Sequence, residues 1–216
     1  PLYDYWREPS GAYLVMRWVR GGNLQESLKE GAWGVDAAAR LLDQLAGALA
    51  VAHRNNVVHQ DIKPANILLD EDANVYLSDF GIAKDLTGGV NLAVVEDNDE
   101  AIHGSPAYMS PEQITRQTIT AQTDIYSLGL LLYETLTGKG PFEGASFMDL
   151  LKHQTSTPLP PLQTHRADLP DSLNLVIWRA TSKDPDHRYP TTLSMAQDFQ
   201  AAIARSAEGT QPSAVP

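Results

Sequence analysis

Two runs of β-prone residues open the chain, Leu2, Tyr3, Tyr5 and Trp6, then Ala12 to Val19, with the turn-rich Arg7-Glu8-Pro9-Ser10-Gly11 between them. This order predicts a hairpin. Gly21-Gly22 ends the second run, and Asn23, with Glu26 three residues on, offers the N-cap of a short helix reaching about Lys29. From Asp36 to about Asn55, the spacing of Leu41, Leu42, Leu45, Leu49 and Ala52 follows one helical face. Short strands are expected at Val57-Val58, Ile67 to Leu69 and Val75 to Leu77, the last two joined by an acidic turn. Asp79 to Glu112 shows little periodicity, and inside a compact domain a stretch of that kind marks a functional loop. Beyond it the pattern is helical. Ile125 to Leu136 is apolar on nearly every side, as a central buried helix would be. Further helices are expected near Ser146 to Gln154, Asp171 to Thr181 and Thr192 to Arg205, and Gly209 to Pro216 reads as the start of a flexible linker.

Composition narrows the function classes. With 43% hydrophobic residues in 216, the chain can bury one large core. Its formal charge of −11 sets it against nucleic acid and anionic membrane as partners, and no basic patch relieves this. The absence of cysteine excludes disulfides and thiolate metal sites, and it suits a reducing compartment. None of the histidines stands at metal-ligand spacing from another. No apolar run approaches the roughly 20 residues needed to span a bilayer, and no signal-peptide pattern opens the chain. A soluble, cytoplasmic segment without membrane contact is expected. It begins at Pro1, in what reads as a strand, so it is taken as a fragment of a longer polypeptide with further domains after residue 216.

The chemistry concentrates in His59-Gln60-Asp61-Ile62-Lys63-Pro64-Ala65-Asn66, followed by Asp79-Phe80-Gly81. Alone, Asp79-Phe80-Gly81 is a plain turn after a strand, and Asp61 or Asn66 is a surface-loop residue. Together, at this spacing, they resemble the catalytic and magnesium loops of protein kinases. Three further stretches follow in the family's order. Gly104 to Glu112 resembles the peptide-positioning end of the activation segment, with Ser110 where Ala-Pro-Glu usually has alanine. Asp124 to Gly129 is similar to the start of the central helix, and Asp184 to Tyr189 to the segment whose arginine pairs with the glutamate of Ala-Pro-Glu. Upstream, Tyr13 to Leu24 resembles the fifth strand and hinge.

The resemblance, to bacterial serine/threonine kinases of the Hanks type, implies an α+β, kinase-like fold. Residues 1–19 would end the small β-rich lobe, 20–206 would form the helical large lobe, and 207–216 would be linker. A loose phosphoryl-transfer transition state needs positioning and charge neutralisation more than covalent chemistry. The family pattern makes Asp61 the catalytic base, puts Lys63 on the γ-phosphate, and gives Asn66 and Asp79 the magnesium that bridges the phosphates of ATP. Met16 would be the gatekeeper, the backbone of Arg17 and Val19 would meet the adenine edge, and Leu68 would floor the ring. His59, Phe80 and Gly81 would be structural, as would Asp124, holding the catalytic-loop backbone, and the pair Glu112–Arg188. Lys63 together with Ser105, a substrate-positioning residue, implies protein acceptors carrying serine or threonine. Gln60 replaces the arginine that reads an activation-loop phosphate in many relatives, so activation without that phosphate is expected.

The family's glycine-rich phosphate loop, its lysine on the third strand and the partner glutamate are not in the sequence; their place is before Pro1. The isolated fragment is therefore expected to bind ATP weakly. A pseudokinase scaffold is the alternative, weighed down by the intact Asp61, Lys63, Asn66 and Asp79. A small-molecule phosphotransferase would lack the Ser-Pro-Glu segment and the Asp124 to Gly129 pattern.

Overall fold

The computed structural model describes residues 2–8, 11–72, 74–80 and 106–209. Strands β1 (Leu2–Glu8) and β2 (Gly11–Met16) form the expected antiparallel hairpin, with the rings of Trp6 and Tyr13 stacked across it at 5.3 Å. The second strand stops at Met16 rather than Val19. The last pair of the register is Leu2 with Met16, and Arg17 to Val19 lie outside the ladder. Both faces of the hairpin are exposed, Tyr3, Tyr5, Leu14 and Met16 included.

Helix α1 (Leu24–Glu30) starts on Asn23, whose side-chain oxygen accepts the Glu26 N–H at 2.9 Å and so satisfies one of the orphan donors of the first turn. Helix α2 (Val35–Arg54) buries Leu41, Leu42, Leu45 and Leu49 in the stripe their spacing predicts. It ends in a Schellman turn. Asn56 takes a left-handed φ of 57°, its N–H returns to the His53 carbonyl, and the Val57 N–H returns to the Ala52 carbonyl, each at 3.0 Å. The strand expected at Val57-Val58 is therefore absent, because the Val57 amide is consumed in closing the helix.

Strands β3 (Ile67–Leu69) and β4 (Val75–Leu77) pair antiparallel, Leu68 opposite Tyr76, as expected. Asp70 shapes the turn between them by accepting the N–H groups of Asp72 and Asn74. The chain entering α1 lies directly on β3: the Leu69 N–H reaches the Gly22 carbonyl at 3.0 Å, and Asn23 bridges Leu68. Gly21 makes this approach possible, since a Cβ there would sit 2.4 Å from the Leu69 carbonyl oxygen.

The remainder is helical: α3 (Pro111–Ile114), α4 (Ala121–Thr137), α5 (Phe147–Ser156), α6 (Ser172–Ala180) and α7 (Thr192–Gly209). From Thr123 to Thr137 every residue of α4 except Glu134 is buried, which follows from its having no continuous polar face. Around it α2, α6 and α7 form one core with Leu131, Leu173, Val176 and Phe199. At Gly129 a Cβ would come within 2.7 Å of the Thr181 methyl, so glycine lets α4 close on the end of α6. Helix α7 continues through Gly209, past residue 206, where the linker was expected to begin. Among the described residues no helix is long and apolar enough to cross a membrane.

Candidate active site

The loop between α2 and β3 hangs from one buried carboxylate. Asp124, fully buried in the first turn of α4, accepts the His59 N–H at 2.9 Å, the Gln60 N–H at 2.8 Å and His53 Nε2 at 2.7 Å. The first two bonds fix the backbone just before Asp61. His59 fixes it again from below. Its Nε2 donates to the Ser78 carbonyl at 2.8 Å and its Nδ1 accepts the Asp61 N–H at 3.2 Å, which requires the neutral Nε2–H tautomer. Burial pushes this imidazole below its ordinary pKa, only partly opposed by the Ser78 carbonyl and the carboxylates of Asp124, Asp61 and Asp79. The His59 ring also meets Phe80, with centroids 4.6 Å apart.

Three of the expected site residues converge in this loop. Lys63 Nζ lies 2.8 Å from Asp61 Oδ2, both side chains being about a quarter exposed. Asn66, buried at the end of a 3-10 turn (Pro64–Asn66), sends its Nδ2 to the same Oδ2 at 3.0 Å and to the Asp61 carbonyl at 2.8 Å. Proline at the first position presets this turn, and the Asn66 N–H closes it on the Lys63 carbonyl. Asp61 is thus an accessible carboxylate oriented by an ammonium and an amide, while among the described residues no donor is placed on Asn66 Oδ1.

Asp79 is brought to this cluster through its neighbour. The Asn66 carbonyl accepts both the Ser78 N–H at 2.9 Å and the Ser78 hydroxyl at 3.1 Å. Asp79 follows with an exposed side chain and a left-handed φ of 58°, a conformation that L-residues adopt at a cost and that recurs at functional sites. Asn66 Oδ1 and the Asp79 carboxylate are hard oxygen donors of the kind Mg²⁺ prefers, so the residues present fit that cation. Gly81 and Ser105 lie outside the described residues.

On the hinge side, Leu68 is half-buried on β3, the Arg17 guanidinium lies 5.5 Å from the centroid of the Tyr76 ring, and Met16 is exposed at the end of β2. A recess of about 250 Å³ is lined by Arg17 to Arg20 and Asp70 to Asp72. It includes neither Leu68 nor Asp61, Asn66 and Asp79, so it is separate from the carboxylate cluster of the loop.

The segment after residue 105 is anchored at both ends. Arg188 holds Glu112 through Nη1 and Nη2, 2.7 and 2.8 Å from its two oxygens, and the pair is buried. Thr123 donates to the same carboxylate, and Arg188 also reaches the Gln122 and Ser182 carbonyls, so the remaining hydrogen-bonding capacity is satisfied. Upstream, the Ala107 carbonyl accepts from Gln154 and the Tyr108 carbonyl from Ser127. Gln154 is in turn fixed by Tyr126, which Lys183 contacts at 2.8 Å.

Gln113 joins this network by donating its Nε2 to the Gln60 carbonyl at 2.8 Å, and the sequence assigns no role in the site to it or to His53, Gln154 and Lys183. Only Gln113 had a local signal, the Ser-x-x-Gln capping box on Ser110. The others act through contacts 28 to 71 positions away.

Comparison with known proteins completes the picture. A family model described as the protein kinase domain matches residues 1–200. Similar characterised proteins include the serine/threonine-protein kinase PrkC of Bacillus subtilis, 37% identical over 203 residues, 94% of this chain and 31% of that protein. PknB of Mycolicibacterium smegmatis is 36% identical over 94% of this chain and 31% of its own length, and PknL of Mycobacterium tuberculosis 34% over 93% and 49%. The chain thus spans a third to a half of the length of these relatives.

Proposed function

Because this chain belongs to the protein kinase family, we propose that it is the catalytic segment of a serine/threonine protein kinase, moving the γ-phosphate of Mg-ATP to hydroxyl groups of other proteins. The observation that carries the reading is the shared use of Asp61 Oδ2 by Lys63 and Asn66, in a loop hung from buried Asp124. A carboxylate so held is poised to orient an incoming hydroxyl and take its proton as the new O–P bond forms and the bond to the ADP oxygen breaks. Lys63, beside Asp61, neutralises charge on the transferred group. Bound Mg²⁺ supplies charge neutralisation on the phosphates, and Asn66 and Asp79 are the residues that would hold it. The backbone of Arg17 and Val19, with Leu68 beneath, receives the adenine; Phe80 and Gly81 shape the magnesium loop. Ser105 and Pro106 to Tyr108 receive the acceptor peptide, and Glu112, Arg188 and Asp124 keep these parts in register.

The acceptor class is tested on the full-length protein given Mg-ATP and a mixture of protein substrates. Phosphoserine and phosphothreonine are the expected products. Phosphotyrosine alone, or a phosphorylated aminoglycoside or choline with no protein product, would contradict the reading.

A further inference from the structure

Gln60 is held in an unusual way for a residue with a neutral side chain. Its backbone takes a φ of 66°, the left-handed region that non-glycine residues rarely occupy. Such a conformation persists only where its surroundings over-determine it. Here the determinants are visible: the Gln60 N–H goes to Asp124 Oδ1 at 2.8 Å, and the Gln60 carbonyl accepts Gln113 Nε2 at 2.8 Å. The peptide unit joining Gln60 to Asp61 is pinned on its other edge too, by the Asp61 N–H on His59 Nδ1.

Gln113 reaches across 53 positions to make its bond, and its amide is not free to turn. Oε1 accepts the Ser110 N–H at 3.0 Å, while the Gln113 N–H returns to Ser110 Oγ. The acceptor end is therefore committed to Ser110 and the donor end to Gln60. Neighbouring Glu112 fastens the same short helix to Arg188. A rigid path thus runs from Arg188 through Glu112 and Gln113 to the peptide that carries Asp61.

We propose that Gln113 is a positioning residue of the catalytic loop: its carboxamide locks the Gln60–Asp61 peptide to the Ser110–Gln113 turn and so sets the aim of the Asp61 carboxylate. The bond is neutral at both ends and needs no modification to form. It provides, without a phosphate, a tie between the peptide-binding segment and the catalytic loop. The catalytic part of this inference rests on the kinase reading; the mechanical part does not.

The test compares the full-length protein with Gln113→Met, which loses both ends of the amide, and Gln113→Glu, which keeps an acceptor for Ser110 but cannot donate to Gln60 when ionised. Hydrogen exchange of the Asp61 amide is read first. Loss of one net hydrogen bond corresponds to about 3- to 10-fold faster exchange at Asp61, with amides in the middle of α4 unchanged. Turnover on a protein substrate should fall by a similar factor, about 3- to 10-fold, with KM for ATP held within about twofold. Unaltered exchange at Asp61 in both variants overturns the proposal whatever the activity does. So does faster exchange at Asp61 that α4 shares equally, which marks general destabilisation. Local acceleration in the variants, together with a wild-type protein that transfers no phosphate, would keep the clamp and sink the kinase reading instead.

Discussion

Arg188 and Glu112 face each other as a two-pronged pair, Nη1 to Oε1 at 2.7 Å and Nη2 to Oε2 at 2.8 Å, with 76 positions of chain between them. Burial alone would raise the Glu112 pKa, but the hydrogen bonds and charge of Arg188 outweigh it and hold the carboxyl below its ordinary value. A depressed folded pKa contributes stability that is complete above about pH 4.5 and is lost as acid takes the pH below it. Removing one partner strands the other charge in the core. Glu112→Gln or Arg188→Met should each cost roughly 3–5 kcal/mol by chemical denaturation at pH 7. Glu112→Gln should also lose part of the decline in stability that the wild type shows below about pH 4.5. An acid profile identical in variant and wild type would remove the pair from that account.

Asp124 serves three donors with two oxygens, and an asparagine cannot. In Asp124→Asn one face of the side chain becomes an N–H pointed at another N–H, so at least one of the His59, Gln60 and His53 bonds fails. Hydrogen bonds to a charged group are worth about 1.5–3 kcal/mol each. The substitution should lower stability by at least about that much and turnover with it, whereas His53→Ala leaves both catalytic-loop bonds intact and should be milder in both. Equal losses in the two variants would show that the carboxylate does not act through the loop.

Lys183 titrates in an unusual range. Burial, aided by the nearby Arg188 charge, lowers its ammonium to about 8, while its Nζ sits 2.8 Å from the Tyr126 hydroxyl and 5.1 Å from the ring centroid. Tyr126 is itself pushed above its usual phenol value, first by burial, and stays neutral throughout. The folded state therefore holds fewer protons than the unfolded one between about pH 8 and 10.5, and stability should rise with pH across that window. Below it the cost of burying the charge is fully present. Relative to Lys183→Met, the wild type should gain roughly 1–2 kcal/mol between pH 8 and 10.5, with solvent screening allowed for. Parallel denaturation curves for the two proteins over that range would contradict it.

Much of this architecture was legible because its signals are local or periodic. α4 shows itself by being apolar all round, α2 by its leucine stripe, and the β3–β4 pair by two short apolar runs flanking Asp70-Glu71-Asp72. The clustering of Asp61, Lys63 and Asn66 was legible because they stand within six residues at a characteristic spacing, and the structure brings Lys63 and Asn66 onto one oxygen of Asp61. Val57-Val58 misled because β-branched residues look the same whether they pair in a ladder or follow a helix; the left-handed Asn56 decided the matter, and only the backbone reveals it. His53, Gln154 and Lys183 were invisible for a different reason. Single side chains bonding to carboxylate, carbonyl and hydroxyl oxygens far along the chain leave no pattern in the intervening residues.

Gln60 has no fixed charge with which to grip a phosphate, and the Ser110–Gln113 turn is tied to the loop that carries Asp61 by Gln113 instead. Between Gly81 and Gly104 the sole hydroxyl residue is Thr87, and the acidic run Glu96 to Glu100 sits further along. Full-length enzyme treated with phosphatase, or carrying Thr87→Ala, should keep its activity on a generic protein substrate within about twofold, a difference of less than about 0.5 kcal/mol in the barrier. A large fall under either treatment would reveal a phosphate-dependent step and overturn this view of activation.

The most direct measurement is turnover of the full-length protein carrying Asp61→Asn. Asparagine preserves the size of the side chain and an acceptor for Lys63 and Asn66, but it removes the proton acceptor. Turnover on a protein substrate is expected to fall by about 10²- to 10⁴-fold, the usual worth of a positioned general base, with Mg-ATP affinity unchanged within about twofold. Turnover equal to wild type, or a loss that follows weaker nucleotide binding alone, would contradict the assignment of Asp61 and with it the account of this site.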